Sequence, residues 1–225
     1  LRYITRQPQL DEFTVTTELT AATVDDGEFG GSVKGAVNIP FGGAAAARIA
    51  AYYTKLPGFM DSVYPGRGTK DDVNSGERTG VRAALRFEPS DTFSITPRIV
   101  YQKLETDGFP RIDVWNILGN PYTTSEPAVP LGERRQVTQL REGIDDDFTL
   151  VDLTLDYDFG EVTLTSVSAY TDRQVVVTRD ASQLTGSVTY DLTFGHATGY
   201  FPAEVRLNSP LIDSTGLEAF SQELR

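Results

Sequence analysis

The 225 residues are 39% hydrophobic and 23% charged, with a net charge of −12 and no cysteine. So acidic a chain is a poor partner for nucleic acid, whose phosphates call for a basic surface, and without cysteine it holds neither a disulfide framework nor a thiolate metal site. No run approaches the roughly 18 apolar residues of a transmembrane helix, and the first residues show no basic-then-apolar signal peptide.

Period-two alternation organises the chain instead, which predicts strands with one apolar and one polar face. The first strand sets Phe13, Val15, Thr17, Leu19 and Ala21 against Thr14, Thr16, Glu18 and Thr20. After a turn at Asp25-Asp26-Gly27, the second sets Val33, Gly35, Val37, Ile39 and Phe41 against Ser32, Lys34, Ala36 and Asn38. The third has Ala45, Ala47, Ile49, Ala51 and Tyr53 opposite Arg48, Ala50 and Tyr52. The fourth has Val81, Ala83, Leu85 and Phe87 opposite Arg82, Ala84 and Arg86. In the fifth, Phe93, Ile95, Pro97, Ile99 and Tyr101 oppose Ser94, Thr96, Arg98, Val100 and Gln102; Pro97 cannot donate to a ladder, so a bulge or ladder gap is expected there. The sixth has Val151, Leu153, Leu155, Tyr157 and Phe159 opposite Asp152, Thr154, Asp156 and Asp158. A seventh, from Val162 to about Val177, alternates poorly and is a strand on its Val and Thr content; an eighth is expected from near Ala219 and is cut off at Arg225.

Alternation alone fits a soluble sandwich or a membrane barrel. Two further patterns favour the barrel. Tight turns fall around Pro40 to Ala44, Pro89 to Asp91 and Asp158 to Glu161, whereas Leu56 to Arg78, Glu105 to Asp147 and about Thr178 to Glu218 form long connections. Short turns at one end and long loops at the other are the outer-membrane pattern. Aromatic residues also sit at strand ends on the apolar face: Phe13, Phe41, Phe87, Phe93, Tyr157 and Phe159 at the turn end, Tyr53 and Tyr101 near the loop end. They read as two interfacial girdles. The expected fold is therefore all-β, an antiparallel transmembrane β-barrel segment of about eight strands with short periplasmic turns and long extracellular loops.

Several stretches also resemble TonB-dependent outer-membrane receptors. Leu1-Arg2-Tyr3-Ile4-Thr5-Arg6-Gln7-Pro8 resembles the end of the plug domain in that family, where the chain passes into the first barrel strand. Gly35 to Pro40, Tyr52-Tyr53 with Pro57-Gly58-Phe59, Asp107 to Pro110, Gly119 to Tyr122, Arg179 to Gln183 and Phe220 to Arg225 are similar to segments of one branch of it. The resemblance implies residues 1–8 as the end of the plug and 9–225 as the first strands of a larger barrel, of about 22 strands. It further implies a fragment lacking the TonB-contacting box, most of the plug and the later strands. The implied activity is TonB-powered uptake of a scarce nutrient across a Gram-negative outer membrane. A ferric siderophore is the first expectation for the cargo, with oligosaccharides and vitamins open. Implied partners are outer-membrane lipid and lipopolysaccharide, the chain's own plug, and the TonB complex through segments outside this chain.

No enzyme is expected. His196 is the only histidine, and no nucleophile elbow, P-loop or metal-ligand pair accompanies it; neither a cofactor nor a metal is implied. Asp145-Asp146-Asp147 and Asp25-Asp26-Gly27 could draw divalent cations near lipopolysaccharide, but they lack calcium-loop spacing and read as solvated loop charge. If the apolar face meets lipid, Lys34, Arg48, Arg82, Arg86 and Arg98, with Glu18, Asp152 and Asp156, must line the lumen, because Arg at midplane on the lipid face costs about 2–4 kcal/mol. They would dock the plug, guide an anionic solute, or pair across strands to stiffen the wall. Trp115, Tyr122, Arg134, Arg135, Tyr190, His196 and Tyr200 are the ligand-capture candidates on the long loops, against loop self-packing as the plain alternative. The competing reading is a soluble or surface-anchored β-rich binding module.

Overall fold

The computed structural model describes residues 5–64, 68–112, 132–182, 184–185 and 207–225. Among these described residues, eleven strands form two sheets: β1 (Thr14–Thr23), β2 (Phe29–Pro40), β3 (Ala45–Leu56), β4 (Asp61–Tyr64), β5 (Gly68–Lys70), β6 (Gly76–Ser90), β7 (Phe93–Thr106), β8 (Arg135–Gln136), β9 (Gly143–Asp158), β10 (Thr163–Asp180) and β11 (Pro210–Leu224). The large sheet has eight strands in the order β1-β2-β3-β6-β7-β9-β10-β11, every neighbouring pair antiparallel. It is a meander, and β1 and β11 are its two edges. Among the described residues no helix is long and apolar enough to cross a membrane, which says nothing of a β-barrel.

The expected turns hold. β2–β3, β6–β7 and β9–β10 close tightly at one end, where Gly42 (φ 80°) and Gly160 (φ 97°) supply the left-handed backbone that other residues resist. Asp158 Oδ1 accepts the Gly160 N–H at 2.7 Å and fixes the third turn. At the other end, the connections after β3 and β7 carry an element that alternation does not reveal: a three-stranded sheet in the order β5-β4-β8, with β4 and β8 parallel. The strands also reach further into this end than expected. β6 begins at Gly76, β9 at Gly143 and β11 at Pro210, so the Asp145-Asp146-Asp147 run lies in a strand and not in a loop. There Asp146 is bound by Arg173 (2.9 and 2.6 Å) and Asp147 accepts from the Tyr101 hydroxyl (2.9 Å). Pro97 produces the expected gap in the β6–β7 ladder, between Ala84↔Arg98 and Phe87↔Ile95, while the register shift itself falls later, between Phe87 and Ser90.

Register turns the alternation into rows across the sheet. Val15, Val37, Ile49, Ala83, Ile99, Val151, Tyr170 and Phe220 are successive cross-strand partners from one edge to the other. One residue along, on the opposite face, the row is Thr14, Asn38, Arg48, Ala84, Arg98, Asp152, Ala169 and Ser221. The apolar row is the open one: Ile99 is 47% and Val151 46% exposed, whereas Arg48 is 8%, Asp152 4% and Asn38 0% exposed. A water-soluble sheet places its faces the other way round.

The apolar band is also oblique to these rows. Its lower edge lies two residues below the common row on β1 (Phe13), four on β6 (Phe87), six on β7 (Phe93) and eight on β9 (Phe159). Its upper edge falls in parallel, from Ala21 on β1 through Tyr53, Val81 and Tyr101 to Val151 and Tyr170, and the next same-face residues are Lys55, Thr79, Lys103, Thr149 and Asp172. Six residues of drift, about 20 Å at about 3.3 Å per residue, over five strand spacings of about 4.8 Å, incline the band by roughly 40° to the perpendicular of the strands. The lower edge is aromatic, with ring centroids of Phe93 and Tyr157 6.1 Å apart and those of Tyr157 and Phe159 4.5 Å apart.

The poor alternation of the seventh segment has a local cause. On β10 the apolar-face positions between Leu164 and Tyr170 are Ser166 and Ser168. Both hydroxyls are engaged by Gln222 of β11, which donates to Ser166 Oγ at 2.9 Å and accepts from Ser168, so these polar groups satisfy one another across the strand pair.

Candidate functional site

All eight residues expected on the polar face are there, but they form two sets. Four are neutralised across strands and a fifth along its own strand. Lys34 stands opposite Glu18 and bonds it at 2.6 Å; Arg98 stands opposite Asp152 and bonds it at 2.6 Å; Arg86 pairs with Glu88. Asp156 accepts from Thr165 (2.6 Å) and Ser94 (3.3 Å). Wall pairing therefore accounts for Lys34, Arg86, Arg98, Glu18 and Asp152. Arg48 and Arg82 form no ion pair among the described residues, and the Nε atoms of Arg82 and Arg86 are buried without a hydrogen-bond partner.

The N-terminal segment lies over this face as a strap. Arg82 donates to the Arg6 carbonyl (3.0 Å), and Arg98 donates to the Thr5 hydroxyl (2.9 Å) while holding Asp152. Asn38, fully buried, pins the other end: its Oδ1 accepts from Gln9 N–H (2.9 Å), and its Nδ2 donates to the carbonyls of Gln9 (2.9 Å) and Glu12 (2.6 Å). Cavities of about 480 and about 810 Å³ flank the strap, both bordered by Arg6 and Arg48. Asn38 was not singled out from sequence; a polar residue at an inward strand position carries no signal that it meets backbone rather than water. Further along the same face, Gly80 leaves room for the Tyr52 ring, whose hydroxyl reaches Gln102 on β7 at 2.6 Å.

No family model, curated protein or solved structure matches the chain. What the two faces and the loops can do follows from their own geometry.

At the loop end, β4, β5, β8 and their connections pack into a layer of their own, with Met60, Val73 and Val137 buried. Asn74 Oδ1 accepts the amides of Phe59 and Met60, each at 2.8 Å, and Asp180 Oδ2 accepts the amide of Leu140 at 3.1 Å. Arg134, a ligand-capture candidate, is turned into this layer: its guanidinium lies 6.0 Å from the Phe59 ring centroid, and it donates to the Asp25 carbonyl. Loop packing is thus its observed role. Arg135 begins β8, opposite Asp61 of β4. Trp115, Tyr122, Tyr190, His196 and Tyr200 lie outside the described residues. In the same layer burial, reinforced by the charges of Glu28, Asp61, Asp71 and Asp26, holds the Asp72 carboxyl above the usual carboxylate range. Among the described residues no group of three or more His, Cys, Asp or Glu side chains could hold a metal ion.

In β8 and just before β9 stand two buried residues that sequence did not flag, both of which border one cavity. Gln136 is fully buried, and neither atom of its amide has a partner. Glu142 is 4% exposed; its Oε1 accepts from Arg111 (3.2 Å) and from the Asp180 amide (2.9 Å), while Oε2 has no partner.

Proposed function

We propose that this chain is part of the wall of a transmembrane β-barrel in a Gram-negative outer membrane, belonging to a TonB-dependent receptor that takes up a scarce nutrient. One observation carries the reading: an apolar, exposed band runs obliquely across an antiparallel meander whose opposite face holds the buried charges. Strands in transmembrane barrels tilt by about 35–45°, so a flat hydrocarbon slab must cross their hydrogen-bond rows at that angle. The inclination of roughly 40° here fits that range. From Ala45 to Tyr53 the band spans about 26 Å along the strand and about 20 Å along the normal at that tilt, near the roughly 25 Å of such barrels.

In hydrocarbon an unpaired strand edge is costly, so the reading requires partners for both β1 and β11, supplied by one another or by further strands. The strap on the polar face, at the residues that resemble the end of a plug, supports the receptor over a simple pore. Of the cargo classes the resemblance allows, an anionic ferric siderophore would have to rely on Arg48, Arg78 and Arg82, which form no ion pair among the described residues, since Lys34, Arg86 and Arg98 are paired.

Because the chain has no cysteine, single cysteines report cleanly. Ile49→Cys and Ile99→Cys, carrying an environment-sensitive fluorophore in outer-membrane vesicles, should be quenched by brominated lipid, and Ala50→Cys and Val100→Cys should not. The reverse pattern, or a chain found in the soluble fraction without detergent, would refute the proposal. The second reading, a β-rich binding module whose open face is covered by protein, draws on Ser166, Ser168 and Gln222, polar groups unusual against lipid. Stable monodisperse protein without detergent would select it.

A further inference from the structure

We infer that the smaller cavity beside the strap, about 480 Å³, binds a phosphate group, either the inorganic ion or the phosphate of a small organic monoester. The starting point is a cation that has lost most of its water and gained no partner. Arg48 is 8% exposed, yet it makes no hydrogen bond and no ion pair among the described residues. Buried guanidinium groups are rarely left so, because an uncompensated charge with little water around it is costly. The partnerless Nε atoms of Arg82 and Arg86 are sealed from any solute, whereas the surface that Arg48 keeps opens on the cavities it borders.

Two more cations without a counter-ion share the space. Arg48 faces Ala84 across β3–β6 and Ala50 faces Arg82, so Arg48 and Arg82 are diagonal neighbours, about 7–8 Å apart. Arg6 of the strap borders the same cavity, and Arg82 grips its carbonyl, which leaves the Arg6 side chain free. Among the described residues the one carboxylate of the lining, Glu18, is bonded to Lys34 at 2.6 Å. Leu1, Arg2, Tyr3 and Ile4 bring no further carboxylate side chain. The larger cavity is different, because Asp11 and Glu12 border it beside Arg6 and Arg48.

The excess positive charge selects the ligand chemistry. A phosphate monoester carries about −1.5 to −2 near pH 7 and three oxygens that accept from several guanidinium groups at once. A lone carboxylate offers one charge and two oxygens, enough for a single arginine fork. Beyond the arginines the floor is Ala36, Ala50 and Val100, an apolar bed for the organic part of a monoester. The volume lies within the roughly 300–1,000 Å³ of small-molecule sites. The inference goes beyond the uptake reading and does not rest on it, since the site belongs to the polar face whatever covers the apolar one.

The test is a phosphorus NMR titration of the whole gene product in detergent and phosphate-free buffer, with thermal melting read alongside. The probes are inorganic phosphate, phenyl phosphate, sulfate and benzoate. Both phosphates should broaden on adding protein and raise the melting temperature, and benzoate should bind roughly tenfold more weakly than phenyl phosphate. Because a monoester loses its second proton near pH 6, its affinity should rise about tenfold from pH 5 to pH 7.5, while that of sulfate, dianionic throughout, stays level. Phenyl phosphate binding tighter than the bare ion assigns the site to an organic monoester; equal affinity assigns it to free phosphate. Arg48→Met removes the charge at similar length, so without ligand it should melt no lower than the parent, and phosphate binding should fall roughly tenfold. Arg6→Ala keeps the carbonyl that Arg82 holds and should also weaken binding. No phosphate binding by the parent, benzoate binding as tightly as phenyl phosphate, or undiminished binding by a folded Arg48→Met overturns the site. Should Arg48→Met melt early, Arg6→Ala decides: lost affinity upholds the site, and full affinity overturns it and gives Arg48 a carboxylate partner within the protein itself.

Discussion

Ile49→Arg tests the meaning of the open face. Ile49 is the midpoint of the apolar band on β3, which runs from Ala45 to Tyr53, and it is 43% exposed. If water covers that face, an exposed Ile→Arg change alters stability by no more than about 0.5 kcal/mol. If lipid covers it, the same change costs about 2–4 kcal/mol at midplane, whereas Val81→Arg, at the upper edge of the band on β6, costs about 0–1 kcal/mol. At about 1.4 kcal/mol per decade, the midplane cost lowers the folding equilibrium by roughly 30- to 700-fold. The assay is equilibrium unfolding in urea with the protein inserted in phosphatidylcholine vesicles, the two variants measured beside the parent chain. Equal costs at Ile49 and Val81, or a cost at Ile49 under about 0.5 kcal/mol, would refute the lipid-facing assignment.

Three further outcomes follow from the site. Asp152→Ala strips the partner from Arg98, and because Asp152 is almost wholly buried the loss should be about 3–5 kcal/mol in the same unfolding assay, with much of it recovered in the Arg98→Leu, Asp152→Leu double variant. Asn38→Leu removes three hydrogen bonds to the strap at about 0.5–1.5 kcal/mol each; amide exchange should rise across residues 5–12 and leave the β2–β3 ladder protected, and an unchanged strap would show that Asn38 does not pin it. Asp72 has a folded-state pKa above the ordinary 3.8, so the folded loop layer holds this proton more tightly than the unfolded chain. Its stability is then greatest below about that pH and declines as pH rises through the window up to the shifted value. Asp72→Asn should raise the protection factor of the Val73 amide, which donates to the Met60 carbonyl at 2.7 Å, at pH 7 and leave it unchanged at pH 3.

The six strands that alternate cleanly were legible because each residue there answers to one demand, apolar outward or polar inward. β10 was blurred because Ser166 and Ser168 answer to a neighbour, Gln222, some fifty residues away in the chain, and single-strand patterning is blind to such pairs. The upper ends of β6, β9 and β11 were lost for a related reason: above the band the alternation breaks down, with polar residues on both faces of β6, Phe148 and Leu150 on the inward face of β9 and Leu211 beside Ile212 on β11, while the ladder continues. β4, β5 and β8 are two to four residues long, too short for periodicity, and the β4–β8 pair joins segments more than seventy residues apart. The charges of the polar face were placed correctly by parity. Their division into paired and strap-facing members depends on registry, and registry is not written in one strand alone. Gln136 and Glu142 carried no local signal, since an amide and a carboxylate in a loop normally meet water.

The meander order has a bearing on how such a wall comes into being. Each long strand lies against its predecessor in the large sheet, so four of the seven interfaces are hairpins closed by turns of a few residues, and little chain entropy is spent in forming them. Growth can then proceed by adding one hairpin at a time to an advancing margin, with each new arrival templated by the last. The parallel contact between β4 and β8 departs from that succession, because the whole β6–β7 hairpin lies between its two halves in the chain. The outer layer therefore closes a longer stretch of chain than any contact between successive strands, a latch thrown over the hairpin it encloses.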